Sequence, residues 1–395
     1  MDDVEPVPDY ARIWPVAVVP GDDLVGREPV LRDIISNIRS GRSVLLAAPR
    51  RLGKTSVAQE ALRRLSDAGA TVASIDFLRI TSRRALADRL IEQLLAHSHS
   101  IRDRLVRRAG RAVGQQLRHL KPHWALAQLE FGISFEDEDE ESLLEKAFQL
   151  APKLAEKDKS HVVILMDEFQ EAGSNLGREI YGLLRSYFQE QPDVQQIFLG
   201  SQESMLRSLF NRPNAPLLRH AVEVPLPPIA PEAWRSYLAR KFAEASEHLK
   251  PVLIPQILEA TGGHPADTME VCRQLSILDE SGQLDNELDD AVVPLAVELA
   301  HIGLAPVFEQ LWASLGSVAY TRAVAARLAS GEPPYSAAQR GRDIPHQMIR
   351  RALTALVDKG IVARTQRSSY VFREPMFERY VRGLTSGYLA ITRSG

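Results

Sequence analysis

The sequence predicts an α/β protein: a parallel β-sheet flanked by helices, then a helical segment, then a small unit of helices ending in a β-hairpin. Three observations carry this. Short, almost wholly apolar runs recur at 43–48, 71–77, 161–166, 195–199 and 221–226. Helical periodicity fills stretches between them, as in Ile180, Leu183, Leu184, Tyr187 and Phe188. After residue 226 the apolar runs stop, and strand signals return only at 361–364 and 370–372. Apolar strands alternating with helices indicate a parallel sheet buried on both faces, because the crossovers lie over its two surfaces.

The elements follow in order. Residues 1–20 are Pro-rich and read as an extended arm. Val30, Leu31, Ile34, Ile35 and Ile38 have helical spacing over 27–40, and Gly41 stops that helix. The strand Ser43–Ala48 leads through a short loop into a helix from Ser56 to Leu65. The stretch 82–158 reads as helical and lopsided in charge. Ten Arg or Lys lie between Arg83 and Lys121 against Asp88, Glu92 and Asp103, and 136–141 is a solid acidic run, expected to be a loop. These charges are either a solvated surface or an arginine-rich contact for nucleic acid or a partner. Residues 231–281 read as helical with breaks at Pro251 and Gly262–Gly263, and 282–300 as a polar connection with a short helix. Further helices are expected at about 306–315, 318–329 and 345–359, the last ended by Gly360. Two strands joined by the turn 366–369 complete a helices-then-hairpin pattern, which suggests a winged helix-turn-helix.

Composition bounds the function. At about 100–200 residues per domain, 395 residues make two or three domains. Hydrophobic residues at 45% and charged residues at 25% exclude a disordered or fibrous chain. A net charge of −3 excludes a uniformly basic surface, so any nucleic-acid contact is a local patch. The single cysteine, Cys272, excludes a disulfide framework and suits a reducing compartment. No apolar run is read as approaching the roughly 18–20 residues of a membrane span. The acidic N-terminus lacks a signal-like apolar core. The expectation is a soluble, cytoplasmic protein without membrane contact.

Directly after the first strand stands Ala48-Pro-Arg-Arg-Leu-Gly53-Lys54-Thr55. This is the phosphate-loop pattern G-x-x-x-x-G-K-[ST] with Ala48 in place of the first glycine. Backbone N–H groups at a helix N-terminus, helped by the helix dipole, stabilise phosphate charge. Alanine restricts φ but keeps its N–H, and the wrapping amides come later, from Leu52 onward. Arg51, Leu52, Gly53, Lys54, Thr55 and Ser56 are therefore candidate nucleotide contacts. Lys54 reaches the β and γ phosphates, and the Thr55 hydroxyl ligates Mg²⁺. The other reading is a surface turn whose glycine permits a left-handed conformation.

The third strand ends in Asp167-Glu168, at the rim of the sheet where ligands bind. Asp167 is expected to hold Mg²⁺ through water, and Glu168 to orient and deprotonate the attacking water. Solvated acids capping a strand are the alternative. Ser201, after the fourth strand, is either a γ-phosphate or water contact, if that strand lies centrally, or a helix cap.

With these residues in view, the chain resembles the archaeal-type ATPases, a branch near the STAND and AAA+ classes of P-loop NTPase. The resemblance is carried by Leu24-Val-Gly-Arg-Glu28, residues 48–56, Val163–Gln170, Gly200-Ser201, Ala215–Arg219 and Gly262-Gly-His-Pro265, and covers about 22–275. It implies that Val25, Gly26 and Arg27 border an adenine pocket, and that Gly263 and Pro265 form a lid turn meeting the nucleotide. A helix C-cap glycine followed by a first-turn proline explains that turn equally. The resemblance also implies that Arg219 is either an arginine finger toward a neighbouring subunit or a salt-bridge residue. Leu217-Leu218 replace the family's tyrosine-glycine there.

The expected division is an arm at 1–20, a P-loop ATPase domain at 21–230 with a helical insertion at about 82–158, a helical lid at 231–300, and a winged helix-turn-helix at 301–395. The expected function is an ATP- and Mg²⁺-dependent hydrolytic switch, with ATP/ADP as ligands and a protein partner or second copy among its contacts. The alternative is a nucleotide-gated DNA-binding regulator with negligible turnover, using His346, Arg350, Arg351, Lys359, Arg364 and Arg367. An inactive scaffold is opposed by the intact Lys54, Thr55, Asp167 and Glu168.

Overall fold

The computed structural model describes residues 10–15, 18–19, 21–98, 101, 128, 130–133, 139–246, 249–282, 291–335, 344–366 and 369–391. They fall into two compact units. One comprises 27–48 and 54–226, and the other comprises residues up to 26 together with 49–53 and 227–395.

The expected extended arm carries a helical turn, α1 (Tyr10–Ile13), within the second of these units. Trp14 behind it is fully buried and donates its indole N–H to Ser276 Oγ at 2.8 Å. A large aromatic ring gains more from burial than an arm loses in chain entropy, so the proline-rich composition misled.

The sheet unit holds β1 (Ser43–Ala47), β2 (Thr71–Asp76), β3 (Val162–Asp167), β4 (Val194–Gly200) and β5 (Ala221–Glu223). The order is β2-β3-β4-β1-β5 and every pairing is parallel, for instance Val44 with Ile197 and Leu165 with Ile197. β1 and β4 are buried at every position, as strands covered on both faces must be. α2 (Glu28–Arg39) and α3 (Lys54–Asp67) pack on one face. α4 (Arg83–His97), α5 (Glu140–Asp158), α6 (Ala172–Leu176), α7 (Ile180–Gln189) and α8 (Glu203–Asn211) complete the unit. The core on their side runs through Leu90, Phe148, Ile164, Phe169, Phe198 and Phe210.

The acidic run is not all loop. Asp139 caps α5 by accepting from the backbone N–H groups of Glu141 and Ser142, and Glu140 and Glu141 form the first helical turn. Acids favour a helix N-terminus because they face its positive end. Most of the arginine-rich stretch that precedes it lies outside the described residues.

His220, just before β5, is half-buried against Phe188 and Phe198 and bonds through Nε2 to Gln196 Oε1 at 2.8 Å. Burial first, and the charge of Arg185 second, lower its pKa to about 4. The folded state thus holds a neutral imidazole where the unfolded chain takes up a proton near pH 6.5. Stability is full above that pH and falls as pH drops toward 4, by up to about 3 kcal/mol. His220→Gln is expected to flatten the loss of unfolding free energy between pH 6.5 and 4, measured by urea titration. An unchanged slope would show that other groups set it.

The other unit contains α9 (Pro231–Ala245), α10 (Ile254–Thr261), α11 (Pro265–Glu280), α12 (Val292–Ser314), α13 (Thr321–Ala329), α14 (His346–Asp358), the antiparallel hairpin β6 (Val362–Gln366) and β7 (Ser369–Phe372), and α15 (Pro375–Ile391). Its core includes Trp234, Phe242, Val271, Phe308, Leu353 and Phe377. Two expected segments, a short helix before 300 and another from 306, are one continuous helix, α12, with Pro306 inside it. The boundary expected at 300 falls within it. Proline removes a single helical bond, and the packing on both sides holds the helix together.

The expectation that no apolar run is long enough to span a membrane is corrected here. Val292–Ser317 is one helix long and apolar enough by length and composition, with mean hydropathy 1.5. Its Val293, Ala296, Val297, Ala300 and Phe308 are in the core of the unit. Glu298, in its second turn, ion-pairs with Arg379.

Cys272, in α11, is fully buried, and desolvation pushes its thiol well above the usual range. An aromatic disulfide reagent is expected to leave it untouched in the native protein and to react at once in denaturant. Rapid native labelling would contradict that packing.

Candidate nucleotide site

β1 ends at Ala47, and after a six-residue loop α3 begins at Lys54. Gly53 has φ +84°, a left-handed conformation open to glycine without strain. Arg51 has φ +64° as well, which costs a side-chain-bearing residue about 1 kcal/mol or more. Ala48 is buried at the strand end.

β4 lies between β1 and β3, so the C-terminal ends of the two motif strands flank it. Within the sheet unit this brings Lys54, Thr55, Asp167, Glu168 and Ser201 together. Thr55 Oγ1 donates to Asp167 Oδ2 at 2.9 Å, across 112 residues of sequence. Asp167 also accepts from the Glu168 backbone N–H at 2.9 Å. Glu168 Oε2 accepts from Ser201 Oγ at 2.8 Å, from the Ser201 N–H at 3.2 Å and from Gln170 Nε2 at 2.5 Å. Lys54 is only 6% exposed, and its charge acts on Glu168. Ser56 is buried behind it.

The two carboxylates are tuned apart. Burial pushes Asp167 up, and the neighbouring charge of Glu168 adds to that, against the opposing Thr55 hydrogen bond. Burial also pushes Glu168 up, but donation from Gln170 and Ser201 and the Lys54 charge outweigh it, so its pKa is lowered. Adjacent titratable groups driven in opposite directions recur at functional sites. Glu168 has φ +46°, a strained left-handed conformation for a residue with a side chain.

Two residues in this arrangement carried no assigned role in the sequence reading. Gln170 is 1% exposed and donates to Glu168. A Cβ at Gly200 would stand 2.3 Å from Gln170 Oε1, so the glycine ending β4 leaves the room Gln170 occupies. A glutamine two residues beyond the acidic pair and a glycine before Ser201 were the available signals.

The other expected site residues have the following surroundings, each within its own unit. Arg51 does not hang free in the loop: it donates to Asp267 Oδ1 at 3.0 Å and to Glu374. Leu52 is half-buried. Val25 is in the core of the helical unit, and a Cβ at Gly26 would meet the Ala233 Cβ at 3.1 Å. Asp23, just before them, accepts from Tyr237 Oη and pairs with Lys241, both at 2.9 Å. Arg27 is buried at the start of α2, and desolvation lowers its pKa to about 10. Gly262 caps α10 with φ +60°, and Pro265 opens α11, which is the structural reading of that turn. Arg219 is exposed just before β5, with φ +58°. It lines a cleft of about 260 Å³ with Gly41, Ser43, Val194 and His220, where β1, β4 and β5 begin. The sheet is parallel, so this is the end opposite Lys54 and Asp167. Within one chain Arg219 is not part of their cluster.

A lysine at a helix start, a threonine beside an aspartate and a following glutamate together match the pattern of a P-loop nucleotide site. Residues 23–213 match the family model of the AAA ATPase domain. This segment is an AAA ATPase domain of the P-loop class. A search of curated proteins finds no match to the sequence. Among solved structures, the chain is similar to the Walker-type ATPase of Pyrococcus abyssi, with 18% identity, coverage of 94% of this chain and 99% of that one, and a TM-score of 0.67. It is also similar to the ORC2 protein of Aeropyrum pernix, solved as ADPNP–ADP complexes, with 14% identity, 97% and 98% coverage, and a TM-score of 0.57. At these identities the likeness is one of fold.

Proposed function

We propose that this chain binds ATP with Mg²⁺ and hydrolyses it as a molecular switch that couples nucleotide state to domain movement. The observation that carries the reading is the 2.9 Å bond between Thr55 and Asp167, with Lys54 buried and Glu168 half-buried beside it. Lys54 and the loop amides bind the phosphates. The donor chemistry fits Mg²⁺: a hydroxyl and a carboxylate, both hard oxygen ligands, in a cluster with two acids and one lysine. Thr55 and Asp167 would hold the ion, which neutralises phosphate charge when bound. Glu168 orients a water and takes its proton, and Ser201 and Gln170 fix the carboxylate that does so. Arg219, exposed and away from this cluster, is suited to act on the nucleotide of a neighbouring copy. The test is phosphate release from ATP by the purified chain, with Mg²⁺ and with chelator. Mg²⁺-dependent release above background supports hydrolysis, and ATP binding without turnover supports the second reading.

That second reading, a nucleotide-gated DNA-binding regulator, has its own observation. α14 buries Ile349, Ala352, Leu353 and Leu356 and turns His346, Arg350 and Arg351 outward. With the following hairpin this supports a winged helix whose exposed helix face meets phosphates. Arg364 is exposed on β6, Lys359 is half-buried, and Arg367 lies outside the described residues. Duplex binding that weakens steeply with salt would support this reading, and no binding at about 50 mM salt would end it.

A further inference from the structure

His264, Asp267 and Glu374 lie in the helical unit and take no part in the Thr55–Asp167 arrangement. His264 precedes the first residue of α11, Asp267 sits in its first turn, and Glu374 precedes α15. One ligand atom from each lies within 4.8 Å of the others. The two segments meet where Gly262 faces Pro375: a Cβ there would stand 2.9 Å from Pro375 Cγ, so only glycine allows the approach. The turn itself is held by Trp234, whose indole N–H donates to Gly263 O at 3.0 Å.

The inner atoms of this cluster are unspent. His264 Nδ1 and Asp267 Oδ2 are 3.4 Å apart, both are buried, and neither has a hydrogen-bond partner. His264 is 5% exposed and Asp267 not at all. The other Asp267 oxygen and one Glu374 oxygen are taken by Arg51. That arginine orients both carboxylates from outside, as an outer partner does for metal ligands. Two lone-pair atoms facing each other in a dry interior call for a cation or a proton between them. Their separation is close to the edge of a tetrahedron around an ion with bonds of about 2.0–2.2 Å.

We propose that His264, Asp267 and Glu374 form a binding site for a divalent transition-metal ion, with zinc as the best-matched chemistry. An imidazole nitrogen with two carboxylate oxygens suits Zn²⁺ or Mn²⁺, whereas Mg²⁺ and Ca²⁺ prefer oxygen alone. Glu374 closes the site by a small swing of its side chain, and a water fills the fourth position.

The test is calorimetry of the full chain, stripped with chelator and titrated with ZnCl₂ without nucleotide, with Co²⁺ absorption as a geometric readout. One zinc per chain is expected, with a rise in melting temperature and a tetrahedral Co²⁺ spectrum. His264→Gln and Glu374→Gln are each expected to weaken zinc by at least about 10-fold. Thr55→Ala combined with Asp167→Asn is expected to leave zinc binding intact, because that pair belongs to the other site. Circular dichroism shows whether each variant is folded, and Glu374→Gln serves if His264→Gln is not. No zinc binding, or binding that survives both Gln variants, would overturn the proposal and leave a proton on His264 Nδ1 as the group that satisfies Asp267.

Discussion

Lys54→Ala is expected to abolish ATP binding at ordinary concentrations. The ammonium is almost wholly enclosed, so its charge acts with little screening by water. A triphosphate entering the site places several negative charges against it. Removing one partner of a desolvated, hydrogen-bonded charge pair costs about 2–5 kcal/mol, a loss in affinity of roughly 30-fold to several thousand-fold. Lys54→Met separates charge from packing. It keeps the aliphatic stem that the interior covers and lacks only the ammonium, so its affinity should fall as far as that of alanine. Calorimetric titration with ATP in Mg²⁺ measures both. Affinity within twofold of the wild type in either variant would remove Lys54 from the phosphate site.

The parts of this site that the sequence made legible are those whose geometry is local. The loop from 48 to 55 is one strand end and one helix start, and a tripeptide with its flanks describes it. The five apolar runs became five strands with ends shifted by at most three residues, because a buried parallel strand admits little but apolar side chains. Two long-range facts were not legible. The order β2-β3-β4-β1-β5 decides that Ser201 lies between the motif strands, and nothing in the residues after 194 states it. The pairing of Arg51 with Asp267 and Glu374 joins points 216 and 323 residues apart, and a loop arginine reads in sequence only as a phosphate ligand. Arg219 is a third case of long-range placement. Its nearness to the fifth strand was legible, but which end of the sheet it occupies depends on strand direction. Trp14 and α12 were misread because composition was weighed without the packing that overrides it.

Glu168→Gln is expected to bind ATP as well as the wild type or better, while turnover falls by about 100- to 10,000-fold. The fold should tolerate the change. An amide has nearly the shape of the carboxylate, and its oxygen can accept from Ser201 and Gln170 as Oε2 now does. The left-handed backbone at 168 is equally strained with either side chain, so no new strain enters. What is lost is the ability to take a proton. The pKa of Glu168 is held down by those same donors and by Lys54, so at neutral pH it is the ionised base. Glutamine at that place can orient a water but cannot deprotonate it. Affinity should not fall, because the substitution removes a negative charge beside Asp167 and near the phosphates. The folded pKa of Glu168 lies below its unfolded value. Ionisation therefore stabilises the wild type above the usual carboxylate range, and that contribution is lost as pH falls through the folded pKa. The stability gap between the two proteins should accordingly close on acidification. Single-turnover hydrolysis with radiolabelled ATP, beside equilibrium binding of the same nucleotide, separates the two effects. Wild-type turnover in the variant would take the base assignment away from Glu168. Equal losses of binding and turnover would show that the carboxylate positions nucleotide and does not act on water.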